Sequence, residues 1–239
     1  MKKALCVLFP LILIFCLTAC TYNPPEGYTK EHHAYEEILA FAKSIDPNAT
    51  VSKEYTDTTI DGWNRNFREY PAVINGTECH VSSVGDMVWN SGFLAGEFAR
   101  QYYVIDTDYD YLVLQQIVAE KQPDWSICED ILEYRYNWNN ILIIYPEANS
   151  TAQLTDEELE LVWEQAKEIY SAYHELPIRK ELCFSLPAPR KKVTSQGEES
   201  VIRNSSIYIE HFTEEDKLAF MDEYHKRWAL LESGLPIDG

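Results

Sequence analysis

Thr155-Asp156-Glu157-Glu158 stands directly ahead of Leu159, Val162, Trp163, Ala166, Ile169 and Tyr173, and this pairing constrains the fold more than any other stretch. The threonine hydroxyl at the entry can accept from a free backbone N–H, while the glutamate three residues on reaches back to the threonine. Behind that start, apolar residues recur every three or four positions and line one face of a helix that needs a surface to pack on. A second helix of similar design begins at Thr213-Glu214-Glu215-Asp216. It carries Phe220, Met221, Tyr224, Trp228 and Leu231 before Gly234 and Pro236 stop it. A third runs from about Glu31 to Ser44, with Ala34, Ile38, Phe41, Ala42 and Ile45 on one face and Asp46-Pro47-Asn48 at its end. Leu112, Val113, Gln116 and Ile117 support a fourth between Asp110 and Glu120.

Between these helices, Thr50–Tyr55, Cys79–Val84, Tyr102–Ile105, Ile141–Tyr145, Leu182–Leu186 and Ser205–Phe212 read as strands, and Gln196-Gly197 reads as a hairpin turn. Strand and helix do not alternate regularly. The expected fold is therefore α+β, with helices packed on a largely antiparallel sheet rather than on a doubly wound parallel one. A helix followed by strands recurs near Ala34–Val84 and near Leu159–Ile209, which allows two similar halves, although no residue-level repeat accompanies it. A chain with 46% hydrophobic and 13% aromatic residues suits a packed domain and excludes a disordered stalk.

The first twenty residues stand apart. Lys2 and Lys3 precede an apolar stretch from Ala4 to Phe15, broken only by Pro10, and Leu17-Thr18-Ala19-Cys20 follows. This is the layout of an export signal, and the stretch is shorter than the roughly 20 apolar residues of a membrane span. Leu17-Thr18-Ala19-Cys20 resembles the lipobox of bacterial lipoproteins. The resemblance implies cleavage before Cys20, lipidation of the Cys20 sulfur and attachment to the bacterial cell membrane on its extracytoplasmic face. Two or more acyl chains give stable attachment, at about 0.8 kcal/mol per buried methylene. The expected organisation is a signal peptide over 1–19, a lipidated tether over 20–30 and an α+β domain over 31–239. The tether holds Pro24, Pro25 and Gly27, as an extended linker does. An ordinary secretory signal is the alternative, and in a eukaryotic pathway the sequons at Asn48, Asn75, Asn149 and Asn204 would then matter.

The chain carries a formal charge of −19, and loss of Lys2 and Lys3 with the signal takes it to −21. Such a balance argues against nucleic-acid binding and against a basic membrane-docking face. Arg190-Lys191-Lys192 is the sole basic cluster and reads as a solvated loop beside Pro187 and Pro189. Apart from Cys20, the mature chain holds Cys79, Cys128 and Cys183, an odd number that permits at most one internal disulfide. They read as small buried apolar residues, because a chain of this size needs no staples.

Asp106, Asp108 and Asp110 alternate, and three such carboxylates can converge on calcium. Yet Tyr111 and Ile117 stand where a calcium loop of the helix-loop-helix kind needs Gly and Glu. The competing reading is a helix start, with Asp108 or Asp110 capping the first turn. Cys79 and His80 are adjacent on an expected strand and so point to opposite faces, which rules out a dyad between them. His32 with Glu36, and His33 with Glu37, read as polar helix pairs. Phosphate loops, Gly-x-Ser-x-Gly turns and helical zinc motifs are missing from the sequence, and no catalytic residue is assigned.

The remaining excess is aromatic. Trp63, Tyr70, Trp89, Tyr102, Tyr103, Tyr109, Tyr111 and Trp125 would suit recognition if exposed, whereas Trp163 and Trp228 lie on helical stripes and read as core. Tyr134, Tyr136 and Trp138, in a polar stretch without helical period, are the expected ligand-binding residues. The expectation is a non-enzymatic envelope lipoprotein that binds a protein, peptide or glycan and needs no cofactor. The alternatives are an envelope hydrolase acting on glycan or peptide, and an extracellular calcium-binding protein.

Overall fold

The computed structural model of the chain describes residues 26–60, 65–92, 96–127, 140–144, 152–177, 181–202, 205–209 and 211–238. The fold is α+β, as the pattern of stripes and short strands implied. The chain separates into two compact units, Met1–Tyr109 and Asp110–Gly239.

In the first unit, helix α1 (Tyr35–Ile45) buries Ile38, Ala42 and Ile45. It begins at Tyr35 rather than at Glu31 because the residues before it are tied to the sheet. Thr29 and Tyr103 exchange backbone bonds at 2.8 and 2.9 Å, and the His33 N–H donates to Ser83 Oγ at 3.0 Å. Asp46 ends the helix: its carboxylate accepts the N–H of Asn48 and that of Asn75, each at 2.8 Å, fastening the helix to a hairpin turn.

That turn joins β3 (Arg65–Ile74) to β4 (Thr77–Gly92), with β1 (Thr50–Val51), β2 (Thr56–Ile60) and β5 (Gly96–Thr107) completing an antiparallel sheet. Its order is β1-β3-β4-β5, with β2 also on β3. Asn75 and Gly76 take φ of 48° and 78°, the left-handed pair that a two-residue hairpin turn needs. Pro71 sits inside β3 without cost to the ladder. Its carbonyl accepts Ser52 N–H, so its missing N–H faces the gap between β1 and β2. Alternate residues Tyr70, Ala72, Ile74, Cys79 and Val81 are buried at 0–6% exposure, and α1 lies against β3 and β4.

The second unit is built differently. Helices α2 (Tyr109–Lys121), α3 (Asp156–His174) and α4 (Glu214–Ala229) accompany a sheet of β6 (Ser126–Ile127), β7 (Asn140–Ile144), β8 (Glu181–Pro187) and β11 (Ser206–Ile209). The sheet order is β11-β8-β7-β6, with β7 and β8 parallel and the outer pairs antiparallel. β9 (Arg190–Val193), β10 (Glu199–Ile202) and β12 (Ile237–Asp238) form a small separate sheet. Gly197, at φ 82°, turns the β9–β10 hairpin, and Arg190-Lys191-Lys192 lies exposed on a strand rather than in a loop. Lys191 pairs with Glu199 at 2.7 Å.

Both capping boxes form. Glu158 N–H donates to Thr155 Oγ1 at 3.3 Å while Glu158 Oε2 accepts Thr155 N–H at 2.7 Å, and Thr213 and Asp216 repeat the exchange ahead of α4. Leu159, Val162, Trp163, Ala166, Ile169 and Tyr173 are all buried against Leu182, Phe184, Leu186, Ile207 and Ile209 of the sheet and Phe220 and Tyr224 of α4. β8 shows no alternation because Leu182 through Leu186, the polar Ser185 included, are all buried.

Candidate binding surface

Cys20, Tyr134, Tyr136 and Trp138 lie outside the described residues. So do Trp63 and the side chain of Trp89. Of the other aromatics that composition offered for recognition, Tyr70, Tyr102, Tyr109, Tyr111 and Trp125 are buried and serve as core. Tyr103 is half-buried.

The three alternating aspartates lie in three different settings. Asp106 lies on β5 opposite Ser82. Asp108 is 2% exposed; it accepts His80 N–H at 2.6 Å and pairs with His80 Nδ1 at 3.1 Å. Asp110, in the first turn of α2, accepts Tyr173 O–H at 3.1 Å. Among the described residues, no group of three or more His, Cys, Asp or Glu side chains is arranged to hold a metal ion.

Cys79 and His80 do point to opposite faces, with the thiol buried and the imidazole 47% exposed. Burial, and then the Asp108 charge, push the Cys79 thiol up to about 12, so it is protonated and unreactive at neutral pH. Pairing of His80 with Asp108 was out of reach of sequence reading, since 28 residues separate them. Only the β4–β5 register brings them together.

The richest exposed chemistry lies on the sheet of the first unit, beyond the N-terminal end of α1. Arg68 on β3 stands opposite Asp57 on β2 and Ser83 on β4, so all three side chains share a face. Arg68 Nε donates to Asp57 Oδ1 at 3.0 Å, and the guanidinium lies over the Tyr55 ring at 4.3 Å. Tyr55 is 47% exposed and meets the Tyr70 ring at 5.4 Å. His32 bonds Ser83 Oγ through Nδ1 at 3.1 Å and packs on the Tyr103 ring at 4.1 Å. Gly85 makes the fit possible, because a Cβ there would lie 3.0 Å from Tyr103 Cε1 and 3.1 Å from Asn66 O.

The electrostatics of this surface are set by its contacts. The hydrogen bond that Arg68 donates to Asp57 pushes the guanidinium further up, so its charge is permanent. Burial first, and then Arg68, hold the His32 imidazole below its ordinary value, which keeps the ring neutral at pH 7. The result is a fixed cation stacked on a tyrosine, beside a neutral imidazole that can both donate and accept. Local pattern does not reveal it, because Asp57, Arg68 and Ser83 come from three strands and Tyr55 from the segment just before β2, and β2 and β3 lack the apolar alternation that marks a strand.

In the second unit, a cavity of about 290 Å³ opens between β11 and α4. Trp163, Ile207, Ile209, Ala219 and Phe220 form its apolar walls, with His211, Asp216 and Glu223 at the polar positions. Asp216 and Glu223 are seven residues apart on one helix, about 10 Å along its axis. Each has a protein partner, Thr213 for Asp216 and Arg227 for Glu223. No described helix is long and apolar enough to cross a membrane. No family model, curated protein or solved structure matches the chain.

Proposed function

We propose that this chain is a lipid-anchored binding module on the extracytoplasmic face of a bacterial membrane, and that it contacts a protein, peptide or glycan through the Arg68–Tyr55 surface. The observation that carries the reading is the double fixing of Arg68, held by Asp57 and stacked on an exposed tyrosine. Arginine and tyrosine dominate the energetics of recognition surfaces, and side chains already held in place lose little freedom on binding. The Thr29–Tyr103 pairing brings the start of the folded chain to this same sheet. Nine residue steps separate Cys20 from Thr29, so at most about 30 Å of chain lies between the lipid and that pairing. A partner at the membrane surface is within reach.

The hydrolase reading needs a general acid with a raised pKa beside a second carboxylate. Asp216 departs in the other direction, held low by its hydrogen bonds to Thr213. Asp216 therefore does not supply that acid at this cavity.

The test is titration of the full-length lipidated protein, in detergent micelles, against isolated cell-wall glycan and against a panel of envelope-protein peptides. Arg68→Ala and Tyr55→Ala are each expected to weaken binding about tenfold or more, with the unfolding midpoint held. Wild-type binding that survives both substitutions unchanged would remove this surface from the function.

A further inference from the structure

β11 closes one side of the sheet in the second unit. Ala188 N–H donates to Ser205 O at 3.0 Å, and the antiparallel register continues through Ile207 opposite Leu186 and Ile209 opposite Phe184. Backbone groups alternate in such a pair, so Ile207 and Ile209 turn theirs toward β8 while Ser206 and Tyr208 turn theirs outward. Arg227 Nη1, reaching from α4, donates to the outward Ser206 carbonyl at 2.9 Å. The following outward pair, the N–H and C=O of Tyr208, meets no partner among the described residues, and the Tyr208 side chain is 56% exposed.

This strand edge runs beside the cavity between β11 and α4, whose walls are Trp163, Ile207, Ile209, Ala219 and Phe220. At about 290 Å³ the cavity is at the small end of ligand pockets, of the order of one large side chain rather than a whole cofactor. An edge open among the described residues, with an adjoining apolar cavity, is the arrangement in which extended peptides are received: main-chain bonds supply affinity and a pocket for alternate side chains supplies specificity. Charge narrows the occupant. Helices α3 and α4 carry eleven carboxylates against four Lys and Arg, a surplus of seven, and Asp216 and Glu223 stand at the cavity itself. A second copy of a chain with net charge −19 would be repelled, whereas a basic segment would be drawn in.

We propose that β11 and this cavity receive an extended basic segment of a partner protein, added as a strand at the Tyr208 edge. One apolar side chain enters the cavity, with Lys or Arg two positions to either side on the same face. The site stands independently of the Arg68 surface, and each can fail without the other.

The probe is a set of blocked pentapeptides, acetyl-Lys-Val-X-Val-Lys-amide with X as Ala, Leu, Ile or Phe, titrated calorimetrically into the full-length chain. Saturable binding is expected, tightest for a branched or aromatic X. It should weaken at least tenfold when both lysines become glutamate, and it should fall as salt rises. Ala219→Trp fills the cavity from the exposed side of α4. Tyr208→Pro removes the outward N–H at a position where an edge strand tolerates proline. Each should weaken binding at least tenfold with circular dichroism unchanged, while Arg68→Ala leaves it intact. Three results would overturn the proposal: no saturable heat with any of the four peptides, binding indifferent to both substitutions, or self-association of the chain that Tyr208→Pro abolishes.

Discussion

Asp108 accepts both the backbone N–H and the ring Nδ1 of His80, at 2.6 and 3.1 Å, from a carboxylate that is 2% exposed. A single buried charge thus ties the segment leaving β5 to the middle of the β3–β4–β5 meander. Hydrogen bonds to a charged group contribute roughly 1.5–3 kcal/mol, and removing the acceptor strands a donor. Asp108→Ala is therefore expected to lower stability by about 2–3 kcal/mol, and Asp108→Asn, which keeps an acceptor for the backbone N–H, by less. Urea unfolding checks this: the midpoint should fall with the slope unchanged.

Gly85 is held to its identity by the Arg68 surface. A Cβ at this position would lie 2.6 Å from Gln101 Nε2, 3.0 Å from Tyr103 Cε1 and 3.1 Å from the Asn66 carbonyl. The glutamine can swing aside, but Asn66 O is backbone and Tyr103 is packed against His32. Gly85→Ala should cost about 1–3 kcal/mol as overpacking. It should also move the His32 ring resonances, which proton NMR would read directly; unmoved resonances would separate Gly85 from the surface.

Cys79 gives the fold an alkaline limit. Its thiol rises from an ordinary 9.0 to about 12 in the folded chain, through burial first and then the Asp108 charge. Between those values the folded state holds a proton that the unfolded state has lost, so stability falls with rising pH. This contribution is complete below about pH 9 and lost progressively toward pH 12. Cys79→Ala should flatten that slope. Native protein at pH 8 should leave Cys79 unlabelled by a thiol reagent until denaturant is added.

The helices were legible because their starts carry chemistry as well as periodicity. Thr155 and Glu158 bond as a capping box requires, and Thr155→Ala should lower stability by about 1 kcal/mol in thermal or urea unfolding. The first helix was legible in its apolar face but not in its start, since His33 gives its N–H to Ser83, 50 residues away. Strand β3 was obscured by its polar run and by Pro71, which is harmless only because it faces the break between β1 and β2. The Asn75-Gly76 dipeptide at that hairpin was passed over in the sequence, although its two positive φ values are the kind that such a dipeptide supplies. The Arg68 surface was illegible for a different reason. Tyr55, Asp57, Arg68, Ser83 and His32 become neighbours only through a register that no local pattern specifies.

The charge of this chain bears on the proposed lipid anchor. Without Lys2 and Lys3 the charge is −21, which anionic lipid repels, so the proposed N-terminal modification would have to supply the attachment. Mass spectrometry of the N-terminal peptide, from protein recovered out of bacterial membranes, tests this most directly. The account predicts a chain that begins at Cys20 with a diacylglyceryl group on its sulfur. A soluble chain that starts at another residue, or an unmodified Cys20, would contradict it.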